Sequence, residues 1–224
     1  MGRITEVKVW DGPVRLFHWS LAALFAFSWW SGETGGNAME WHLVSGYAIL
    51  VLVLFRIVWG FIGSTTARFG HFLRGLGAML DYAAGLLRRA PSRSVGHNPL
   101  AGIMVVIMLI GLLLQAASGL FANDDIVTEG PLAHLVGKSF SDQLTVFHTT
   151  LFDVLLALTA IHLAAVLFHR LVKQENLVRP MLTGHKAFPE GTPQLQPLRF
   201  VSLWRALAVL AACAGVVCAL VKWA

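Results

Sequence analysis

His148 and His162 stand fourteen positions apart within one apolar stretch, residues 144–168. On an α-helix, fourteen steps return the second imidazole to within about 40° of the first and carry it about 21 Å along the axis. One helix would therefore aim two histidines the same way near opposite faces of a membrane. Imidazoles recurring on a bundle-facing stripe mark a proton relay, a metal or a haem. The only cysteines, Cys213 and Cys218, are five apart and point different ways on a helix, which argues against a disulfide or a thiolate metal site. With no C-x-x-C-H in the chain, any haem would be held without thioether links.

The elements that must position these residues are membrane helices. The chain of 224 residues is 56% hydrophobic and 13% charged, with a mean hydropathy of +0.67, too apolar for a water-soluble domain. Five segments approach the ~20 residues needed to cross a hydrocarbon core: 15–32, 41–62, 99–121, 143–169 and 201–221. Between the second and third, residues 69–89 place Phe72, Leu73, Leu76, Leu80, Ala83, Ala84 and Leu87 at helical spacing among Arg74, Asp81 and Arg88. That pattern predicts one amphipathic helix on the membrane surface. Residues 31–37 and 189–197, with glycine or proline, read as connections. No internal repeat or separate soluble domain is evident.

Charge orients the helices. Arg3, Lys8 and Arg15 precede the first span, Arg68, Arg74, Arg88, Arg89 and Arg93 follow the second, and Arg170, Lys173, Arg179, Lys186 and Arg199 follow the fourth. The other connections carry Glu33 and Glu40, or Asp124, Asp125, Glu129 and Asp142 opposed by Lys138. The positive-inside rule then predicts a multi-pass protein of the bacterial inner membrane, N-terminus cytoplasmic and C-terminus periplasmic. Topology accounts for the net charge of +5, and nucleic acid need not be invoked. No cleavable signal is apparent.

On this topology His42 and His148 fall at the external level, His18 and His162 at the cytoplasmic level. Iron in a porphyrin with two axial imidazoles needs one histidine on each side, from facing helices, so the expected pairs are His42/His148 and His18/His162. Arg56, fourteen positions after His42, returns to the same face at the depth of His162, where a haem propionate would balance it; snorkelling to the interface is the alternative. Gly46, one turn after His42, removes a side chain where a macrocycle could lie, or serves close helix packing. The tryptophans read as an interfacial belt.

The segment from Trp10 to Trp19, Trp-Asp-Gly-Pro-Val-Arg-Leu-Phe-His-Trp, resembles the opening "P-V-R-x-x-H-W" of the prokaryotic di-haem b-type cytochromes, the group that includes the membrane subunit of nickel–iron hydrogenases. The segments from Trp41 to Tyr47, Arg56 to Gly60 and Gly96 to Leu100, and the His148/His162 span followed by Glu175-Asn176-Leu177-Val178, are similar to its later motifs. The resemblance runs from about Val9 to Lys186. It implies an all-α four-helix core over 1–186 with two b haems on His18, His42, His148 and His162; the linker and extra C-terminal transmembrane helix expected over 187–224 depart from that pattern.

The expected function is electron transfer between membrane quinone and a periplasmic hydrogenase, other dehydrogenase or cytochrome c, with a homodimer allowed. Quinone is expected near the inner haem, where His169 follows His162 by two turns beside Arg15 and Arg170 and could handle the proton of quinone chemistry; a plain interfacial histidine is the alternative. Two rivals stand beside this reading. One is a stand-alone superoxide-to-quinone oxidoreductase with Lys138 and His134 as its cationic entrance. The other is a histidine-relay proton channel or transporter, for which inverted repeats and broken spans are not found.

Overall fold

The computed structural model describes residues 4–86, 94–189 and 197–223. Arg3, residues 87–89 of the expected surface helix, Arg93 and residues 190–196 of the last connection lie outside the described residues. The five long helices are α1 (Gly12–Thr34), α2 (Ala38–Ile62), α5 (Pro99–Gly119), α6 (Lys138–Leu171) and α8 (Leu203–Lys222). Their starts follow local chemistry. Asp11 Oδ1 accepts the Val14 N–H at 2.8 Å ahead of α1, and Asn98 Oδ1 accepts the Ala101 N–H at 2.8 Å ahead of α5, each followed by a Gly-Pro or Pro opening that suits the first turn. Gly35 and Gly36, with φ of +62° and +54°, make the turn between α1 and α2 that other residues would resist.

Four of these helices, α2, α5, α6 and α8, are long and apolar enough to cross a membrane. The first has the length, 23 residues, but Arg15, His18, Ser20, Ser28, Ser31 and its tryptophans dilute it. The expectation of five apolar spans is therefore met by four on composition. Large apolar side chains such as Val146, Ile161, Leu163 and Leu167 on α6 are exposed, as a lipid-facing helix requires.

One expectation is corrected. The surface helix is two pieces, α3 (Phe69–Phe72) and α4 (Leu76–Ala84), broken where Leu73 and Gly75 adopt extended backbone. Phe72 is buried against His97 and Gly102, whereas Leu76 and Leu80 are exposed, so one straight helix could not serve both faces. The N-terminal arm carries β1 (Ile4–Lys8), which pairs antiparallel with β2 (His185–Pro189), Glu6 opposite Ala187.

The chain forms two compact units. One comprises Met1–Leu16, Val58–Ile107 and Thr159–Ala206. Its core holds Val9, Trp59, Ala67 and Phe72. Trp59 Nε1 donates to Asp11 Oδ2 at 3.0 Å, so one carboxylate both caps α1 and satisfies a buried indole. The short α7 (Val178–Thr183) ends at Gly184, φ +86°, whose carbonyl accepts from the N–H groups of Val9 and Trp10.

The other unit comprises Phe17–Ile57, Met108–Leu158 and Leu207–Ala224. Leu50, Leu120, Leu132 and Val217 form its core cluster, with Tyr47, Leu113 and Val221 packed on it. The C-terminal helix α8 is thus part of this core. Across the connection after α5, Asp124 Oδ1 accepts the N–H groups of Ile126, Val127 and Thr128 at 2.8–2.9 Å, which folds residues 123–129 into a closed loop with Ile126 and Val127 at its exposed tip.

Candidate functional site

His42 on α2 and His148 on α6 face each other with ring centroids 6.1 Å apart and planes at 79°. His42 Nδ1 donates to the Ser28 carbonyl at 2.9 Å, and His148 Nδ1 to the Gln115 carbonyl at 2.9 Å. A carbonyl only accepts, so in both rings Nδ1 carries the proton and Nε2 keeps its lone pair for a ligand. Two imidazoles bonded through Nε2 to one metal at about 2.0–2.1 Å would have centroids about 6 Å apart, which is the separation observed. Two nitrogens alone leave a bare ion under-coordinated; a haem iron, with four nitrogens from its macrocycle, needs no more than this pair. The space beside Gly46 is open, with no atom within 4 Å of where a Cβ would stand. The residues present therefore fit a haem held between His42 and His148.

The remaining predicted residues fall as follows. His18 lies on α1 in the second unit, edge-on to Trp19 at 5.0 Å, and is half-buried. His162 lies on α6 in the first unit and is also half-buried. Arg56 on α2 is buried, only 2% exposed. Arg15 donates to the carbonyls of Met181 and Leu182, which caps the end of α7. Lys138 is ion-paired with both Asp125 and Asp142, which raises its pKa and lowers that of Asp142. The cation considered as an entrance for superoxide is thereby matched by two carboxylates. Asp124, hydrogen-bonded to the backbone of Ile126, Thr128 and Val127, is held at about 2.

His169, expected to handle the quinone proton with a plain interfacial histidine as the alternative, is buried inside a polar cluster of the first unit. Its Nδ1 donates to Glu175 Oε2 at 3.0 Å, Lys186 Nζ donates to Glu175 Oε1 at 2.5 Å and to the Ser94 carbonyl at 2.8 Å, and Tyr82 Oη lies 3.5 Å from His169 Nε2. Burial alone would raise the Glu175 pKa, but hydrogen bonds and charge from His169 and Lys186 hold it below the usual carboxylate range. A carboxylate that fixes the Nδ1 proton leaves Nε2 as the basic atom of the ring, facing the tyrosine hydroxyl.

Sequence reasoning missed Ser28, Gly32, Gln115 and Gly119 around the histidine pair, and Tyr82 and Lys186 around His169; it picked out Glu175 only within a motif, without its partner. Backbone carbonyls have no side-chain signature. The one available signal was the pair of Ser-Gly dipeptides, Ser31-Gly32 and Ser118-Gly119, near the ends of two helices.

Residues 9–184 match the family model described as prokaryotic cytochrome b561. Among curated relatives, the probable Ni/Fe-hydrogenase B-type cytochrome subunit of Rhizobium leguminosarum bv. viciae is 22% identical, covering 83% of this chain and 90% of the relative. The proteins of the same name from Azotobacter chroococcum mcd 1 and Rhodobacter capsulatus are 24% and 23% identical, each over 84% of this chain and over 92% and 84% of their own lengths. No solved structure matches the chain significantly.

Proposed function

Because this chain belongs to the prokaryotic cytochrome b561 family, we propose that it carries electrons across a bacterial inner membrane through two non-covalent b haems, between a periplasmic redox enzyme of the nickel–iron hydrogenase type and membrane quinone. The family makes it a membrane b-type cytochrome of electron transport; haem count, pairing, partner and quinone are our own reading. The observation that carries it is the His42/His148 pair at 6.1 Å with both Nδ1 protons tied to carbonyls. The second pair, His18/His162, rests on fourteen-residue spacing along α6 and on the opening motif around His18.

When bound, haem supplies the one-electron chemistry. The chain does the rest. His42 and His148 would hold the outer haem, His18 and His162 the inner one, and the buried Arg56 would lend positive charge beside a propionate. Near the cytoplasmic side, His169 Nε2 exchanges a proton with quinone by way of the half-buried Tyr82 hydroxyl, while Glu175 holds the ring. The outward-facing electron partner is steered by Asp125 and Glu129, both exposed.

The test is the pyridine haemochrome of purified, fully loaded protein divided by protein concentration. The expected ratio approaches two, with two components in a redox titration. A reproducible ratio of one refutes the di-haem reading.

A further inference from the structure

We propose that Gly32 and Gly119 are positioning residues that open helix carbonyls to the two outer haem ligands and so set the potential of that haem. This rests on His42 and His148 as axial ligands, as proposed above.

The same arrangement occurs twice within one unit, on two different helices. On α1, the Ser28 carbonyl accepts from His42 Nδ1 at 2.9 Å and from Ser31 Oγ at 3.2 Å, and Gly32 follows. On α5, the Gln115 carbonyl accepts from His148 Nδ1 at 2.9 Å and from Ser118 Oγ at 3.0 Å, and Gly119 follows. In each case the residues are a carbonyl at i, a serine at i+3 and a glycine at i+4. A carbonyl inside a helix is normally screened from the side by the residue at i+4, one turn further on. Here a Cβ on Gly32 would stand 3.0 Å from His42 Nδ1, and one on Gly119 would stand 2.9 Å from His148 Cε1 and 3.2 Å from its Nδ1. An alanine at Gly119 would make the His148 ring shift, and one at Gly32 would make the His42 ring give by a few tenths of an ångström. Elsewhere in the unit, Gly46 faces open space and Gly111 meets only Leu155, so proximity to an imidazole is not common to its helical glycines.

An axial imidazole that donates its Nδ1 proton is a more basic, more electron-rich ligand with a fixed tautomer and ring plane. Basic ligands favour ferric over ferrous iron, so both clamps lower the outer potential. Partners of this kind typically change metal affinity by 10- to 100-fold. A tenfold change confined to one oxidation state corresponds to about 59 mV in a one-electron couple.

The experiment is a spectroelectrochemical titration of the full-length, haem-loaded protein, with electron paramagnetic resonance of the oxidised form. Gly32→Ala and Gly119→Ala should each raise the potential of the outer component by a shift of that order and move its low-spin g values, with the inner component unchanged. Gly111→Ala, which crowds Leu155 at 2.9 Å and touches no histidine, should move neither. A second route does not depend on alanine being accommodated. His42→Gly protein is supplied with imidazole, which can donate to the Ser28 carbonyl, or with N-methylimidazole, which can ligate but has no N–H. Both should restore a six-coordinate outer haem, at a higher potential with N-methylimidazole. Equal potentials with the two ligands, or an equal shift in Gly111→Ala, overturn the clamp. Retention of both unaltered haems in His42→Gly without added ligand overturns the ligand assignment itself.

Discussion

Glu175→Gln keeps the shape of the side chain while removing the charge that holds the polar cluster of the first unit together. The side chains of Glu175, Lys186 and His169 are only 6%, 10% and 6% exposed. Removing one partner of a buried pair leaves the other charge uncompensated, at a cost of about 3–5 kcal/mol. Lys186 retains its bond to the Ser94 carbonyl, which puts the expected loss near the lower bound, about 3 kcal/mol. The sign of the pH dependence follows from the lowered Glu175 pKa. Its contribution to stability is full above the ordinary carboxylate pKa of about 4.3 and is lost as pH falls through the lower folded value. Chemical denaturation in detergent, followed by tryptophan fluorescence from about pH 3 to pH 7, should show wild type losing stability on the acid side and the variant starting lower with a flatter profile. The double variant Glu175→Gln/Lys186→Met should recover much of the loss, since no cation is then stranded. A single variant as stable as wild type at neutral pH, with the same acid limb, would refute the reasoning. With His169 no longer held, quinone should also reoxidise the inner haem more slowly in Glu175→Gln, as in His169→Ala.

Four further outcomes are expected. His42→Ala and His148→Ala should delete one redox component and His18→Ala and His162→Ala the other; loss of the same component from His42→Ala and His18→Ala would dissolve the pairing. Arg56→Leu should lower the inner potential and leave the outer nearly unchanged, because an electron is harder to add once a nearby cation is gone, and an unchanged inner value in loaded protein would refute this. Asp124→Ala removes the acceptor of three backbone N–H groups and should speed proteolysis near Ile126 and Val127. Asp125→Asn with Glu129→Gln should instead leave the loop closed and slow reduction by the partner at low salt, an effect that fades as salt rises.

The long helices were legible because twenty apolar residues in a row have few other fates, and His42 and His148 were matched because helix geometry turns spacing into depth. The start of α6 at Lys138, five residues before the expected span, reflects an i,i+4 pair with Asp142 that hydropathy does not register. The break between α3 and α4 was hidden because the regular spacing of Phe72, Leu76 and Leu80 says nothing about whether they face the same environment; tertiary burial of Phe72 overrode the period. The Glu175–Lys186 pair spans α7 and a left-handed Gly184, so no local pattern could bring it together. The strand pairing was obscured for the same reason, its partners lying at opposite ends of the matched region.

That pairing has a temporal side. Lys8 is matched with His185, so during synthesis at about 5–20 residues per second the arm waits on the order of 10–35 s for its partner strand. The Asp11–Trp59 bond needs only the first two helices and can form long before. Assembly is thus staged, with the sheet closing well after the Asp11–Trp59 bond, and a chain interrupted before His185 keeps an open strand edge at its N-terminus. Until the sheet closes, that edge is open to pairing with another chain.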